Sequence, residues 1–278
     1  MPNITVGTEK DQNITINYVD YGEGKPVVLI HGWPLSHLMW ENQFMALTGA
    51  GYRVVAYDRR GFGESSKPWS GYDYDTFASD LNTLMEELDL NDAALVGFSM
   101  GGGEVARYLG KYGSKRVSKA VLMSSITPYL LKTDDNAGGV DKSVFYGMIQ
   151  GLQKDRPGFL LDFSKSFVNW DKDGRDLLSE AALNHSWDIA TWASSKGSVD
   201  CVRAFSATDF RADLAKFDVP TLVLQGDADG IVPFEASGKI AHELVADSEL
   251  VVINGGAHGL TYTQPEQVNS ALLDFLAK

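Results

Sequence analysis

Gly97-Phe98-Ser99-Met100-Gly101 joins an apolar run to a helical one. Before it, Ala93-Ala94-Leu95-Val96 has the continuity of a buried strand. After it, Gly102-Gly103-Glu104-Val105-Ala106-Arg107-Tyr108-Leu109 reads as a helix. A serine between the two sits on a sharp, strained turn, and side chains two positions away would collide if they were large. The turn lifts the hydroxyl clear of the sheet. The helix that follows offers free N–H groups to a developing negative charge. A glycine-rich turn with an incidental serine would carry the same five letters.

Outward from this point, strands and helices alternate. Ile14-Thr15-Ile16-Asn17-Tyr18-Val19-Asp20-Tyr21 alternates in polarity and is expected to be an edge strand. Pro26-Val27-Val28-Leu29-Ile30 is a continuous apolar run, as in a strand covered on both faces, and ends at His31-Gly32-Trp33-Pro34. A helix carrying Trp40, Phe44 and Leu47 leads to the strand Tyr52–Tyr57 and then to the polar loop Asp58–Ser65. A helix over Asp75–Leu88 precedes the serine strand, and Lys119–Ser124 is a further strand. This alternation implies βαβ units and a parallel sheet.

After Pro128 the pattern changes. Phe145, Met148, Ile149 and Leu152 recur at helical spacing, and so do Phe159, Phe163 and Phe167 beyond the break at Arg156-Pro157-Gly158. More helical text follows, and no strand returns until Thr221-Leu222-Val223-Leu224-Gln225 and Leu250-Val251-Val252-Ile253, with a last helix over Pro265–Leu276. The expected fold class is α/β, a mostly parallel eight-stranded sheet flanked by helices. Residues 1–127 and 216–278 would form the core domain and 128–215 a helical cap.

The 278 residues suffice for one large domain with an insertion, and 44% hydrophobic with 22% charged residues fits a globular protein with a substantial core. A net charge of −13 argues against nucleic-acid or anionic-membrane partners, which require basic patches. Cys201 is the only cysteine, so no internal disulfide forms, and it reads as a small buried hydrophobe. Met1–Val6 has no basic segment followed by an apolar core, and no apolar run is long enough to span a bilayer. A soluble cytoplasmic protein is expected.

A serine hydroxyl needs a base, and the base needs an orienting acid. Of the five histidines, His258 directly follows a strand, in Asn254-Gly255-Gly256-Ala257-His258-Gly259. Loops at the carboxyl ends of parallel strands share one rim, which places His258 on the side of Ser99. His242 falls within a helix and His185 within the cap, where surface roles are expected. Asp227 and Asp229, in Gln225-Gly226-Asp227-Ala228-Asp229-Gly230-Ile231-Val232-Pro233, both follow a strand and are both candidates for the acid.

These three motifs, in the order Ser, Asp, His, resemble those of the α/β-hydrolases, in which Gly-x-Ser-x-Gly forms a nucleophile elbow. The resemblance implies Asp229 as the acid and Asp227 as its structural neighbour. It implies an oxyanion hole from the main-chain N–H groups of Met100 and of Trp33, the latter in a His-Gly-x loop where His31 is structural. The loop Asp58–Ser65 would be scaffolding. Ser99 separates the chain from dehalogenases and epoxide hydrolases, which carry aspartate there. Asn184–Trp187, Lys196–Cys201 and Ala204–Leu214 in the cap resemble the cofactor-free bacterial haloperoxidases, also called perhydrolases or aryl esterases. The resemblance covers essentially the whole chain and departs at Ser125-Ile126-Thr127-Pro128, where the family has a more apolar stretch with an extra proline.

The resemblance implies hydrolysis of small carboxylic or aryl esters through an acyl-enzyme. It further implies perhydrolysis of short carboxylic acids by hydrogen peroxide, the peracid then oxidising halide without cofactor or metal. The sequence agrees in lacking a haem-attachment motif, a phosphate-binding glycine loop and a metal-spaced His/Cys cluster. A homo-oligomer is suggested by the family alone. The acyl pocket is expected to be small and apolar, with Trp33, Pro34, Ile126, Phe145, Phe163, Phe167 and Ile231 as its candidates. Pro34, with fixed φ and no N–H, would turn the Trp33 carbonyl towards the acyl group, where it accepts a hydrogen bond from peroxide; Pro34→Leu should then change the ratio of perhydrolysis to hydrolysis. Activity should rise with pH as His258 loses its proton. A related lactonase, γ-lactam amidase or carbon–carbon bond hydrolase would share the triad, and a ligand receptor on the same fold would turn over a simple aryl ester very slowly or once.

Overall fold

A computed structural model describes residues 2–278. Eight strands form one sheet: β1 (Asn3–Glu9), β2 (Gln12–Tyr21), β3 (Pro26–Ile30), β4 (Arg53–Tyr57), β5 (Ala93–Phe98), β6 (Val117–Met123), β7 (Thr221–Gly226) and β8 (Ser248–Ile253). Their order is β1-β2-β4-β3-β5-β6-β7-β8. The first two pairings, β1 with β2 and β2 with β4, are antiparallel, and all others are parallel. The expectation for β2 needs correction. It is not the edge, because β1 pairs outside it. The irregularity between Thr5 and Gly7 interrupts the alternation of β1 and hides it from a period-two reading.

The apolar runs are strands because they are covered on both sides. All six residues of β5 and all six of β7 are buried. Three helices of the core follow strands: α1 (Glu41–Gly49), α2 (Tyr74–Glu87) and α3 (Met100–Tyr112). The helix α2 starts where the Asp73 side chain accepts from Thr76 N, and buries Phe77, Leu81 and Leu84. From β3 the chain steps to β4 on one side, and β5 then pairs on the other. The carboxyl ends of β3 and β5 therefore flank the point where strand order reverses, the place where open parallel sheets form sites.

Between β6 and β7 the chain forms α4 (Lys142–Lys154), α5 (Arg156–Phe167) and the helices Glu180–Thr191 and Ser195–Ala207. Asp141 and Asp155 cap α4 and α5 by accepting from Ser143 N and Gly158 N. Only isolated bridges, Leu131 with Val140 and Thr133 with Asn136, interrupt this helical stretch. No helix among the described residues is long and apolar enough to cross a membrane.

Candidate active site

Ser99 ends the turn after β5 with φ 53° and ψ −116°, outside the region that side chains favour. Its N–H donates to Met123 O at 2.8 Å, and its carbonyl accepts from Gly102 N at 3.0 Å. The glycines are obligatory on steric grounds. A Cβ at Gly97 would lie 2.4 Å from Gly101 O, and one at Gly101 would lie 2.3 Å from Ile30 O. The second contact packs the elbow against the end of β3.

The Nε2 of His258 lies 2.9 Å from Ser99 Oγ, and its Nδ1 lies 2.7 Å from Asp229 Oδ2. All three residues are more than nine-tenths buried. Asp229 Oδ1 accepts from the main-chain N–H groups of Ile231 at 2.9 Å and Val232 at 2.8 Å. A carboxylate so held accepts the Nδ1 proton of His258 and leaves Nε2 to accept from the serine hydroxyl. Asp227 Oδ1 instead accepts from Gly255 N at 2.7 Å and ties the acid loop to the histidine loop. The imidazole of His258 lies against Phe98 and Phe167, each with ring centroids 5.1 Å away.

Gln225, at the end of β7, holds the Asp229 carboxylate. Its Nε2 donates to Asp229 Oδ2 at 3.2 Å and to Val232 O at 2.8 Å. Its Oε1 accepts from Gly238 N at 3.1 Å and Ser237 Oγ at 3.2 Å. A buried polar residue closing an otherwise apolar strand run is the one sequence signal that pointed to it.

The loop after β3 is held by buried polar groups. His31 Nε2 accepts from Arg59 N at 2.9 Å, so its Nδ1–H donates to Gly32 O at 2.8 Å. Burial first, and the nearby Arg59 charge second, push the His31 pKa down to about 3, so the ring is neutral and structural. Arg59 Nη2 donates to His31 O at 3.0 Å, and Arg59 Nε to Glu104 Oε2 at 2.7 Å; Glu104 also accepts from the Tyr57 hydroxyl. Glu104 belongs to α3, so this buried ion pair joins that helix to Arg59, which in turn holds the His31 carbonyl of the loop after β3. Asp58 fixes the neighbouring loop by accepting from His37 N and Glu64 N at 2.8 and 2.9 Å. Neither Trp33 N–H nor Met100 N–H finds an acceptor among the described residues.

Ser99 opens into a cavity of about 280 Å³. Of the residues expected there, Trp33, Ile126, Phe145, Phe163 and Ile231 line it, and Met100, expected only as an oxyanion donor, lines it as well. Pro34 and Phe167 do not. Pro34 is buried one residue beyond the lining. Phe167 lies at the end of α5, where its ring packs edge-on to His258 and its carbonyl accepts from Gly259 N at 2.7 Å. It supports the histidine loop. Val140, Val144, Phe159 and Phe205 are not among the expected pocket residues but also line the cavity; Val144 and Met148 fall four apart along α4. His185 lies apart from this cavity, in a smaller one with His37 and Asp58. His242 bonds Ser248 Oγ through Nδ1 at 2.8 Å.

A family model described as alpha/beta hydrolase fold matches residues 25–265. A putative non-heme chloroperoxidase of Synechocystis is 53% identical over 99% of this chain and 100% of its own length. A bifunctional esterase/perhydrolase of Acinetobacter calcoaceticus is 40% identical over 97% of this chain and 98% of its own. Among solved structures, a bromoperoxidase from Bacillus anthracis superposes with a TM-score of 0.97 at 50% identity, covering 100% of this chain and 99% of that one.

Proposed function

Since the chain belongs to the α/β-hydrolase fold family, and within it to the non-heme chloroperoxidases, we propose that it is a serine esterase whose acyl-enzyme is also opened by hydrogen peroxide. The observation that carries the mechanism is the pair of hydrogen bonds from Ser99 Oγ through His258 to Asp229, at the wall of an apolar cavity.

Ser99 Oγ attacks the ester carbonyl while His258 Nε2 takes its proton, and Asp229 stabilises the imidazolium. The N–H groups of Met100 and Trp33 receive the tetrahedral oxyanion. Collapse expels the alcohol, which takes the proton from His258 and leaves an acyl ester on Ser99. Water, deprotonated by His258, then releases the acid. Hydrogen peroxide in its place releases the peracid. When the substrate is a free carboxylic acid, water is the first leaving group, so acid plus peroxide gives peracid plus water. The peracid then oxidises halide to hypohalous acid and returns to the carboxylic acid. The segment 128–215 acts as the cap that roofs the acyl pocket.

The test compares wild type with Ser99→Ala in two assays: hydrolysis of p-nitrophenyl acetate, and bromination of monochlorodimedone with peroxide in acetate buffer. Both activities are expected to vanish together in the variant. Ester hydrolysis without bromination in wild type would leave an ordinary esterase or lactonase. Turnover of neither substrate would favour a receptor or a narrow carbon–carbon hydrolase.

A further inference from the structure

One face of α5 forms part of the cavity wall: Phe159, Asp162, Phe163 and Ser166, at the i, i+3, i+4, i+7 spacing of a single helical stripe. Three of these are what a pocket for apolar acyl groups requires or tolerates. Asp162 is not. It is the only charged side chain in the lining, which contains no lysine, arginine or histidine. Its side chain is largely solvent-exposed, which places it at the mouth. Lys165, on the same helix, reaches it at only 4.0 Å and is itself partly exposed, so that pair is loose and screened. A bound anion would therefore leave water, meet no counter-charge in the cavity and pass a carboxylate on the way in.

We propose that Asp162 is a specificity-determining residue, a negative gate that directs the cavity to uncharged apolar esters and against substrates carrying a free carboxylate. This rests on the acyl-transfer reading above and adds the substrate class. The fold offers a reason for its position. Asp162 lies within the stripe and borders the cavity while largely exposed, so its charge stays hydrated at little cost beside the space a substrate must occupy. Selection works by an unfavourable contact for the wrong substrate.

The experiment uses the full chain as wild type, Asp162→Asn and Asp162→Lys. The probes are p-nitrophenyl butanoate and the mono-p-nitrophenyl ester of pentanedioic acid, which ends in a carboxylate. The readout is the ratio of kcat/KM for the anionic ester to that for the neutral one, at low and at high salt. In wild type the ratio should lie well below one and rise with salt. It should increase about three- to tenfold in Asp162→Asn and further in Asp162→Lys. In the lysine variant the salt dependence should reverse sign, which a purely structural role for Asp162 would not produce. A wild type that takes both esters equally, or a ratio that stays put across the three proteins, overturns the gate. Failure of the underlying reading shows separately, as neutral-ester hydrolysis that survives Ser99→Ala.

Discussion

The indole Nε1 of Trp33 donates to the main-chain carbonyl of Ser198 at 3.1 Å, across 165 positions of sequence. Trp33 belongs to the loop after β3, and Ser198 to the helix Ser195–Ala207 over the site. The same ring meets Phe163 and Phe205 edge-on, with centroids 5.0 and 5.9 Å away. The residue proposed to supply one oxyanion N–H is thus positioned from the cap side as well as from the sheet.

Trp33→Phe keeps an aromatic ring in the cavity wall and removes the indole donor. A net hydrogen bond contributes about 1 kcal/mol, so kcat/KM for p-nitrophenyl acetate should fall about fivefold, with kcat carrying most of the loss. Steady-state kinetics beside a thermal melt separates this from unfolding. An unchanged kcat would mean that the loop holds its place without the cap.

That Ser99, Asp229 and His258 meet was legible because each sits in a loop directly after an apolar strand run, where the chain pattern alone sets the rim. Their support was not. Gln225 reads as one more strand residue, and only folding brings its amide to Asp229 and to the Gly238 N–H. Phe167 has the helical spacing of a pocket residue, yet it packs on His258 because α5 ends beside the histidine loop. The cap motifs were recognisable as a family pattern, but their purpose lies in contacts remote in sequence. Ser194 N donates to Gly61 O at 2.7 Å, and the Phe210 ring meets Tyr74 at 4.7 Å. Both dock the helical segment on the core.

Gln225→Leu should damage both stability and catalysis. It strips Asp229 Oδ2 and Val232 O of a donor and leaves Gly238 N without its acceptor in a buried setting, each such loss costing about 1–3 kcal/mol, while Ser237 Oγ still donates to Pro233 O. The melting temperature should drop by at least about 5 °C. In the fraction still folded, kcat should fall about tenfold with KM little changed, since Gln225 does not line the cavity. A lower melting temperature with kcat intact would reduce Gln225 to a structural role.

His31 should make the fold acid-sensitive. Burial, assisted by Arg59, lowers its folded pKa to about 3 from an ordinary value of 6.5. Between those values the unfolded chain binds a proton that the folded chain refuses. The stabilisation is full above pH 6.5 and is lost as pH falls towards 3, at up to about 1.4 kcal/mol per pH unit. Asp80, whose carboxyl is raised to about 6 by burial, acts in the opposite direction but equally in wild type and variant. Urea midpoints for His31→Gln should therefore be lower than wild type at neutral pH yet decline less steeply in acid. Parallel slopes would show that His31 accepts a proton in the folded state.

Ester hydrolysis and perhydrolysis of a free acid should part company as pH rises. Both use His258 as the general base, so whatever pH does to that base falls on the two reactions alike and drops out of their ratio. The free acid adds a second requirement. A carboxylate entering the cavity meets no cation in the lining, and attack by Ser99 would place two negative charges on one tetrahedral centre. The reactive species is then the undissociated acid, whose share falls about tenfold per pH unit above its own pKa of roughly 4–5. Above that pKa the ratio of peracid formation to hydrolysis of the neutral ester should therefore decline about tenfold per unit. Peracid release at fixed total acid and peroxide, measured beside p-nitrophenyl ester hydrolysis from about pH 4 to about pH 9, tests this. Parallel profiles at every pH would mean that the carboxylate itself is accepted, and the argument from the uncharged cavity would fail.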